Sequence, residues 1–383
     1  MQKLVSLFFT LLLTVLAIAG EAKYVFYFIG DGMGPNQVLT TEMYLAELQG
    51  RISRSFLSMT QLPYSGQVAT FSHTNGITDS SAAGTCLATG AKTSNGVLGV
   101  DADGNKITTI AEELKSRGWG VGITTSVSID HATPAAFYAH VPKRNMYYTI
   151  GTQLVESDFD FFGGATFYQP YDPDKEVSTS LYKLLDDNHY TVARGYDDYM
   201  EKREEAERMV LIQDFEGLTD DYKGTGMIPY AIDKKAGDLT LPQITESAID
   251  FLSSRYDRFF LMVEGGAIDW ACHSNDAATV IGEVIEFDAA IKLALDFYYR
   301  HPEETLILIT ADHETGGMAL GNSDYTLNLQ ILQNQKASVA KLSDEFKELY
   351  VNNGTKLKYE TVKEVLTARL GFYETVEITD AED

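Results

Sequence analysis

The chain is predicted to fold as a single large α/β domain, with a mostly parallel central sheet flanked by helices on both faces. Two observations carry that expectation. Four short apolar runs, YVFYFI (24–29), GVGITT (120–125), RFFLMVE (258–264) and TLILIT (305–310), read as buried parallel strands. Helical patterns lie between them. TTIAEELKSRG (108–118) places Ile110 and Leu114 on one face and stops at Gly118, and GEVIEFDAAIKLALDFYYR (282–300) is a longer apolar-faced helix. Alternation of strand and helix is the pattern of an open sheet covered on both sides. Residues 165–240, rich in Tyr, Asp, Lys and Gly with weak periodicity, are expected to form a surface excursion. ASVAKLSDEFKELYV and ETVKEVLTARLGF read as polar-faced helices, a helical insertion over 324–383. There is no internal repeat or low-complexity linker, so 21–383 is treated as one catalytic-sized domain.

The first 20 residues have the form of a cleaved signal peptide: Lys3, an apolar stretch from Leu4 to Ala19, and the small-residue pattern Ala17-Ile18-Ala19. The stretch is short for a membrane span and no other credible span follows, so the mature protein is expected to be periplasmic or secreted. The formal charge is −25, which argues against binding nucleic acid by charge steering. An anionic substrate would need a local reversal of that field, for which bound metal ions are the obvious device. Two cysteines, Cys86 and Cys272, are expected to be buried free thiols, because a domain this large needs no staple.

The segment FIGDGMGPNQ (28–37) tests that idea. Its glycines fail the dinucleotide pattern Gly-x-Gly-x-x-Gly, since Pro35 follows Gly34 at once. Asp31 would also point a carboxylate at a pyrophosphate. The glycines instead give the backbone room to fold around Asp31 as a cation ligand. Three predicted strands run into acids: Asp31, then Glu264 followed by Asp269, then Asp312. Open α/β sheets bind ligands at the carboxyl ends of their strands, and carboxylates gathered there repel one another unless a cation joins them.

Two of those strand ends add imidazoles. TADHETGG (310–317) sets Asp312 beside His313, mixed oxygen and nitrogen ligands that suit zinc. EGGAIDWACHSN (264–275) spaces Asp269 and His273 four apart, so on a helical turn they face one way. In ITDSSAAGTCLATG (77–90), the small residues after Asp79-Ser80 read as a helix start with Ser80 at its positive end, where backbone N–H groups and the helix dipole favour an anion. Alone this is an ordinary helix cap; beside zinc, the hydroxyl can be activated as a nucleophile.

Taken together, GDGMG, TDSSAAGT, HATPAAFYAHVPKR, EGGAIDWACH and ADHETGG, in that order, resemble the alkaline phosphatase family, over residues 24–320. The resemblance implies an alkaline phosphatase-like fold and hydrolysis of small phosphate monoesters through a phosphoserine on Ser80, with two Zn²⁺ and one Mg²⁺. It implies that Asp31, Asp312 and His313 hold the zinc that activates Ser80, and that Asp269 and His273 belong to a second zinc. Asp31, Thr133 and Glu264 correspond to the magnesium ligands, and Arg144 to the arginine that clasps phosphate through two hydrogen bonds. His131 and Trp270 occupy phosphate-side positions where some relatives carry Asp and Lys. His131 is expected to alter metal selectivity, and Trp270 to shift reliance onto Arg144 and the metals. A homodimer is left open.

One position departs from the family pattern. The family's second zinc takes a further histidine near the C-terminus, whereas none of this chain's seven histidines follows His313. Either the chain is truncated before that residue, the preferred reading, or water or another group, with His73 the best substitute, completes an incomplete site. Related metal-dependent phosphodiesterases or sulfatases, and a weakly active or inactive metal-binding homologue, are the competing functions.

Overall fold

A computed structural model describes residues 21–215, 226–321, 325–379 and 383. The proposed signal peptide lies outside the described residues. The strands are β1 Tyr24–Gly30, β2 Gly120–Thr125, β3 Phe161–Gly164, β4 Tyr190–Arg194, β5 Arg208–Ile212, β6 Phe259–Gly265 and β7 Thr305–Ala311. They form one sheet in the order β4-β5-β3-β2-β6-β1-β7, with each neighbouring pair parallel.

The helices follow in chain order. They are α1 Pro35–Glu47, α2 Ser80–Thr89, α3 Ile110–Ser116, α4 Ala132–Ala135, α5 Tyr147–Glu156, α6 Leu181–Asp187 and α7 Gly195–Lys202. Then follow α8 Leu241–Ser253, α9 Gly266–His273, α10 Ala277–Arg300, α11 Val339–Asn353 and α12 Tyr359–Leu370. Successive strand residues point to opposite faces, which is how one apolar run fills two cores. Phe259, Leu261 and Val263 pack on one side with Ile244, Phe251, Phe287 and Ile291 of α8 and α10. Phe260 and Met262 pack on the other with Phe137, Leu154 and Leu181.

Two expectations need correction. The 165–240 stretch is not an excursion: it supplies β4 and β5, which extend the sheet to one edge, and buries Leu211 and Tyr199. The 305–310 run is not buried on both faces either. It forms the opposite edge strand, and Leu306 and Leu308 are each 43% exposed.

Register brings the acids together. Gly30 pairs with Gly265 on one side and Ala311 on the other, so Asp31, Glu264 and Asp312 leave three adjacent strands at nearly one level.

Candidate metal centre and nucleophile

At the carboxyl ends of β1 and β7, Asp31, Asp312 and His313 converge with ligand atoms within 4.8 Å of one another. His313 Nε2 stands 3.4 Å from Asp31 Oδ1 and 3.4 Å from Asp312 Oδ2. The Asp312 Oδ1 is fixed by the backbone N–H groups of Gly32 (3.0 Å) and His313 (2.8 Å). That leaves Oδ2 buried and without a hydrogen-bond partner.

Ser80 opens α2 and faces this group. Its Oγ lies 3.3 Å from His313 Nε2 and 3.5 Å from Asp31 Oδ1. The neighbouring Ser81 turns the other way, and its hydroxyl donates to Asp79 Oδ2 at 2.6 Å. Asp79 caps the helix, accepting from the Ala82 N–H at 3.0 Å. The same carboxylate accepts from Arg144 Nη1 at 3.1 Å and from the Gly96 N–H at 2.9 Å. Burial raises the Asp79 pKa, but these hydrogen bonds and the Arg144 charge outweigh it and hold the group ionised below its ordinary range.

A second group joins Asp31, His131 and Glu264, again within 4.8 Å. Thr133 Oγ1 is 3.4 Å from Asp31 Oδ2, and Thr125 donates to Glu264 Oε2. Glu264 Oε1 and His131 Nδ1 are buried with no hydrogen-bond partner. Arg144 Nη2 donates to His131 Nε2 at 3.3 Å, and burial followed by that positive neighbour pushes the imidazole down to about 3. His131 therefore sits beside the Asp31 and Glu264 carboxylates as well as beside Arg144, held neutral, with its lone pair at Nε2 turned to the guanidinium.

Asp269 and His273 sit four apart on α9, with His273 Nε2 3.4 Å from Asp269 Oδ2, as the spacing predicts. Thr315 donates to Asp269 Oδ1 at 2.6 Å. The His273 side chain is 71% exposed. Among the described residues no third His, Cys, Asp or Glu, His73 included, joins this pair as a group of ligands. Trp270 stands edge-on to His131 with ring centres 5.7 Å apart. Cys272 is buried and Cys86 half-buried; both are free thiols.

The electrostatics ask for cations. Burial pushes Asp31 well above the ordinary carboxylate range, and Asp312, Asp269 and Glu264 add to it. Burial likewise pushes Glu264 up to about 7, and Asp312 upward against the favourable pull of His313. Buried carboxylates with orphaned oxygens beside imidazole nitrogens are a donor set that zinc and magnesium fit. Asp79, Thr125 and Thr315 escaped the sequence reading as site residues. Asp79 was legible only as a cap, and the two threonines carry no motif of their own.

Comparison with known proteins agrees with this geometry. The family model for alkaline phosphatase matches residues 22–376. Alkaline phosphatase 4 of Bacillus subtilis is 34% identical over 253 residues, covering 64% of this chain and 51% of that protein. Alkaline phosphatase 3 of the same organism is 32% identical over 313 residues, covering 79% and 63%. The chain thus spans between half and two thirds of the length of these relatives. Among solved structures, Thermus thermophilus alkaline phosphatase superposes with a TM-score of 0.77 at 28% identity, covering 95% of this chain and 73% of that one. A mutant of TAB5 alkaline phosphatase with Mg bound in its M3 site superposes with a TM-score of 0.67 at 29% identity, covering 81% and 83%. On the matched family model, the shared parallel sheet and the acids at its strand ends, the chain belongs to the alkaline phosphatase family.

Proposed function

We propose that the protein hydrolyses phosphate monoesters through a phosphoserine on Ser80. The observation that carries this is the position of Ser80 Oγ, 3.3 Å from His313 Nε2 and 3.5 Å from Asp31 Oδ1, at a helix start whose cap also anchors Arg144. In this reading Asp31, Asp312 and His313 hold one Zn²⁺, and Asp269 and His273 hold part of a second. Asp31, Thr133 and Glu264 hold Mg²⁺, with His131 at the same group. When bound, such ions supply Lewis acidity that favours the serine alkoxide and offsets phosphoryl charge.

The protein's own groups then do the following. Arg144 presents its guanidinium to two phosphoryl oxygens and fixes the substrate's orientation. Ser80 Oγ attacks phosphorus, the ester P–O bond breaks, and the alcohol departs with a proton. Water then attacks phosphorus, the Ser80 Oγ–P bond breaks, a proton of that water restores the Ser80 hydroxyl, and inorganic phosphate leaves. The N-terminal N–H groups of α2 favour the anion throughout. Small phosphate monoesters are the substrates of this reading, and export to the periplasm or medium the location. No helix among the described residues is long and apolar enough to cross a membrane.

The test is release of phosphate from 4-nitrophenyl phosphate at alkaline pH with Zn²⁺ and Mg²⁺ added. Ser80→Ala is expected to lower turnover roughly a thousandfold or more and to remove the phosphopeptide containing residue 80 after acid quench. A phosphopeptide elsewhere in that variant, at Ser81 for instance, would reassign the nucleophile. No phosphate release from the wild-type chain would favour the second reading, a metal-holding homologue with little turnover. The two-ligand Asp269–His273 pair and the exposure of His273 support that alternative. Zinc titration separates the two: in the enzyme, turnover rises with occupancy of a second, weaker zinc.

A further inference from the structure

Three aromatic rings stand beside the phosphate-side residues. Trp270 packs edge-on to His131 at 5.7 Å and 75°, and the same imidazole accepts from Arg144 Nη2 at 3.3 Å. Gly226, at φ +81°, marks where the next ring arrives. A Cβ there would stand 3.0 Å from Trp270 Cη2 and 3.4 Å from Tyr168 Cδ2, so both rings border the same stretch of bare backbone. Tyr168 in turn packs on Tyr147, with ring centres 4.7 Å apart and planes at 44°.

The row is fastened to the segment that carries His131. The Gly226 carbonyl accepts from the Ser128 N–H at 2.7 Å. The Tyr168 N–H donates to both oxygens of the buried Asp130, at 3.0 and 2.9 Å. Tyr147 lies near enough to Arg144 for the guanidinium charge to oppose the effect of burial on its hydroxyl. These rings are not core: Tyr168 is 42% exposed, and Trp270 and Tyr147 are half-buried. In a chain of charge −25, an uncharged wall next to Arg144 binds by stacking and not by steering.

We propose that Trp270, Tyr168 and Tyr147 form a rim that stacks on a planar aromatic leaving group, so that the site selects aryl over alkyl phosphate esters. This rests on the phosphomonoesterase reading above. Stacking of a planar ring on aromatic side chains is worth enough to give a preference of about tenfold.

Phenylphosphonate and methylphosphonate, which carry no ester bond to break, test the rim by calorimetric binding to the full chain loaded with Zn²⁺ and Mg²⁺. The wild type is expected to bind the phenyl compound about tenfold more tightly. Tyr168→Ala is expected to bring the ratio below about threefold, whereas Tyr168→Phe keeps it, because the ring and not the hydroxyl does the stacking. The ratio within each sample cancels differences in metal loading. If Tyr168→Ala does not melt cooperatively, Tyr147→Leu replaces it with the same expected fall. A wild-type ratio near one, or a ratio unchanged by these substitutions, overturns the rim and leaves the phosphate site standing. If neither phosphonate binds, or if Arg144→Ala leaves methylphosphonate affinity unchanged, the phosphomonoesterase reading fails and the rim falls with it.

Discussion

Asp79 shows how much one side chain carries. Its two oxygens cap α2, take the Ser81 hydroxyl away from the pocket, and hold Arg144 from 65 residues further along the chain. Ser80 is left as the serine that faces His313 and Asp31. The sequence made the cap legible, because a carboxylate before a run of small residues is a local pattern. The grip on Arg144 was not, because it depends on a loop closing over a long stretch of chain. Asp79→Ala is expected to lose about 1 kcal/mol of stability with the cap and to raise the inhibition constant for inorganic phosphate about tenfold as Arg144 loses its anchor. Asp79→Asn should keep most of the cap yet still weaken phosphate binding, since the amide no longer carries the charge that pairs with the guanidinium. Melting curves and phosphate inhibition of 4-nitrophenyl phosphate turnover check both variants. Equal phosphate inhibition in all three proteins would remove Asp79 from the positioning of Arg144.

The elements do their work at their ends. β1, β6 and β7 were legible as apolar runs, and so was the gathering of carboxylates at their ends, because each run stops at an acid. β3, β4 and β5 were not, being four or five residues long inside a stretch with mixed polarity. The turn after β1 shows why glycine is required there. Gly32 sits at φ +64°, and a Cβ on it would stand 2.7 Å from Asp269 Oδ1 and 2.8 Å from Thr315 Oγ1. Gly32→Ala therefore combines backbone strain with displacement of Asp269, a ligand in the proposed reading, and about 1–3 kcal/mol of lost stability is expected along with weaker zinc retention. Gly50→Ala is the control, at φ +68° with nothing within 4 Å of the added carbon. It should show the backbone penalty alone and keep its zinc during dialysis against a chelator. If both variants lose zinc alike, the turn does not shape the ligand set.

For the whole molecule the deciding quantity is charge. Against a formal charge of −25, the fold buries Asp31, Glu264 and Asp312 together. Burial first, with repulsion from neighbouring carboxylates, pushes all three upward, with Glu264 moving from 4.5 to about 7. Without metal, the folded state binds these protons more tightly than the unfolded chain. The stability they contribute is therefore fully present below the ordinary carboxylate range and is lost as pH rises through about 7. Cations reverse the slope, because they bind the deprotonated ligands and only the folded chain gathers those ligands. Glu283, which burial and Glu286 push up to about 8, lies outside the centre and acts with the same sign whether or not metal is present. The difference between two melting series, one in EDTA and one with Zn²⁺ and Mg²⁺, thus isolates the centre. Between pH 4.5 and 7 the EDTA series should fall and the loaded series should rise relative to it. Glu264→Gln, which cannot ionise, should make the fall of the EDTA series shallower over that interval, Asp31, Asp312 and Glu283 keeping the rest. Parallel series with and without metal would mean that these carboxylates hold no cation, and Ser80 would lose the partners that its position beside Asp31 and His313 implies.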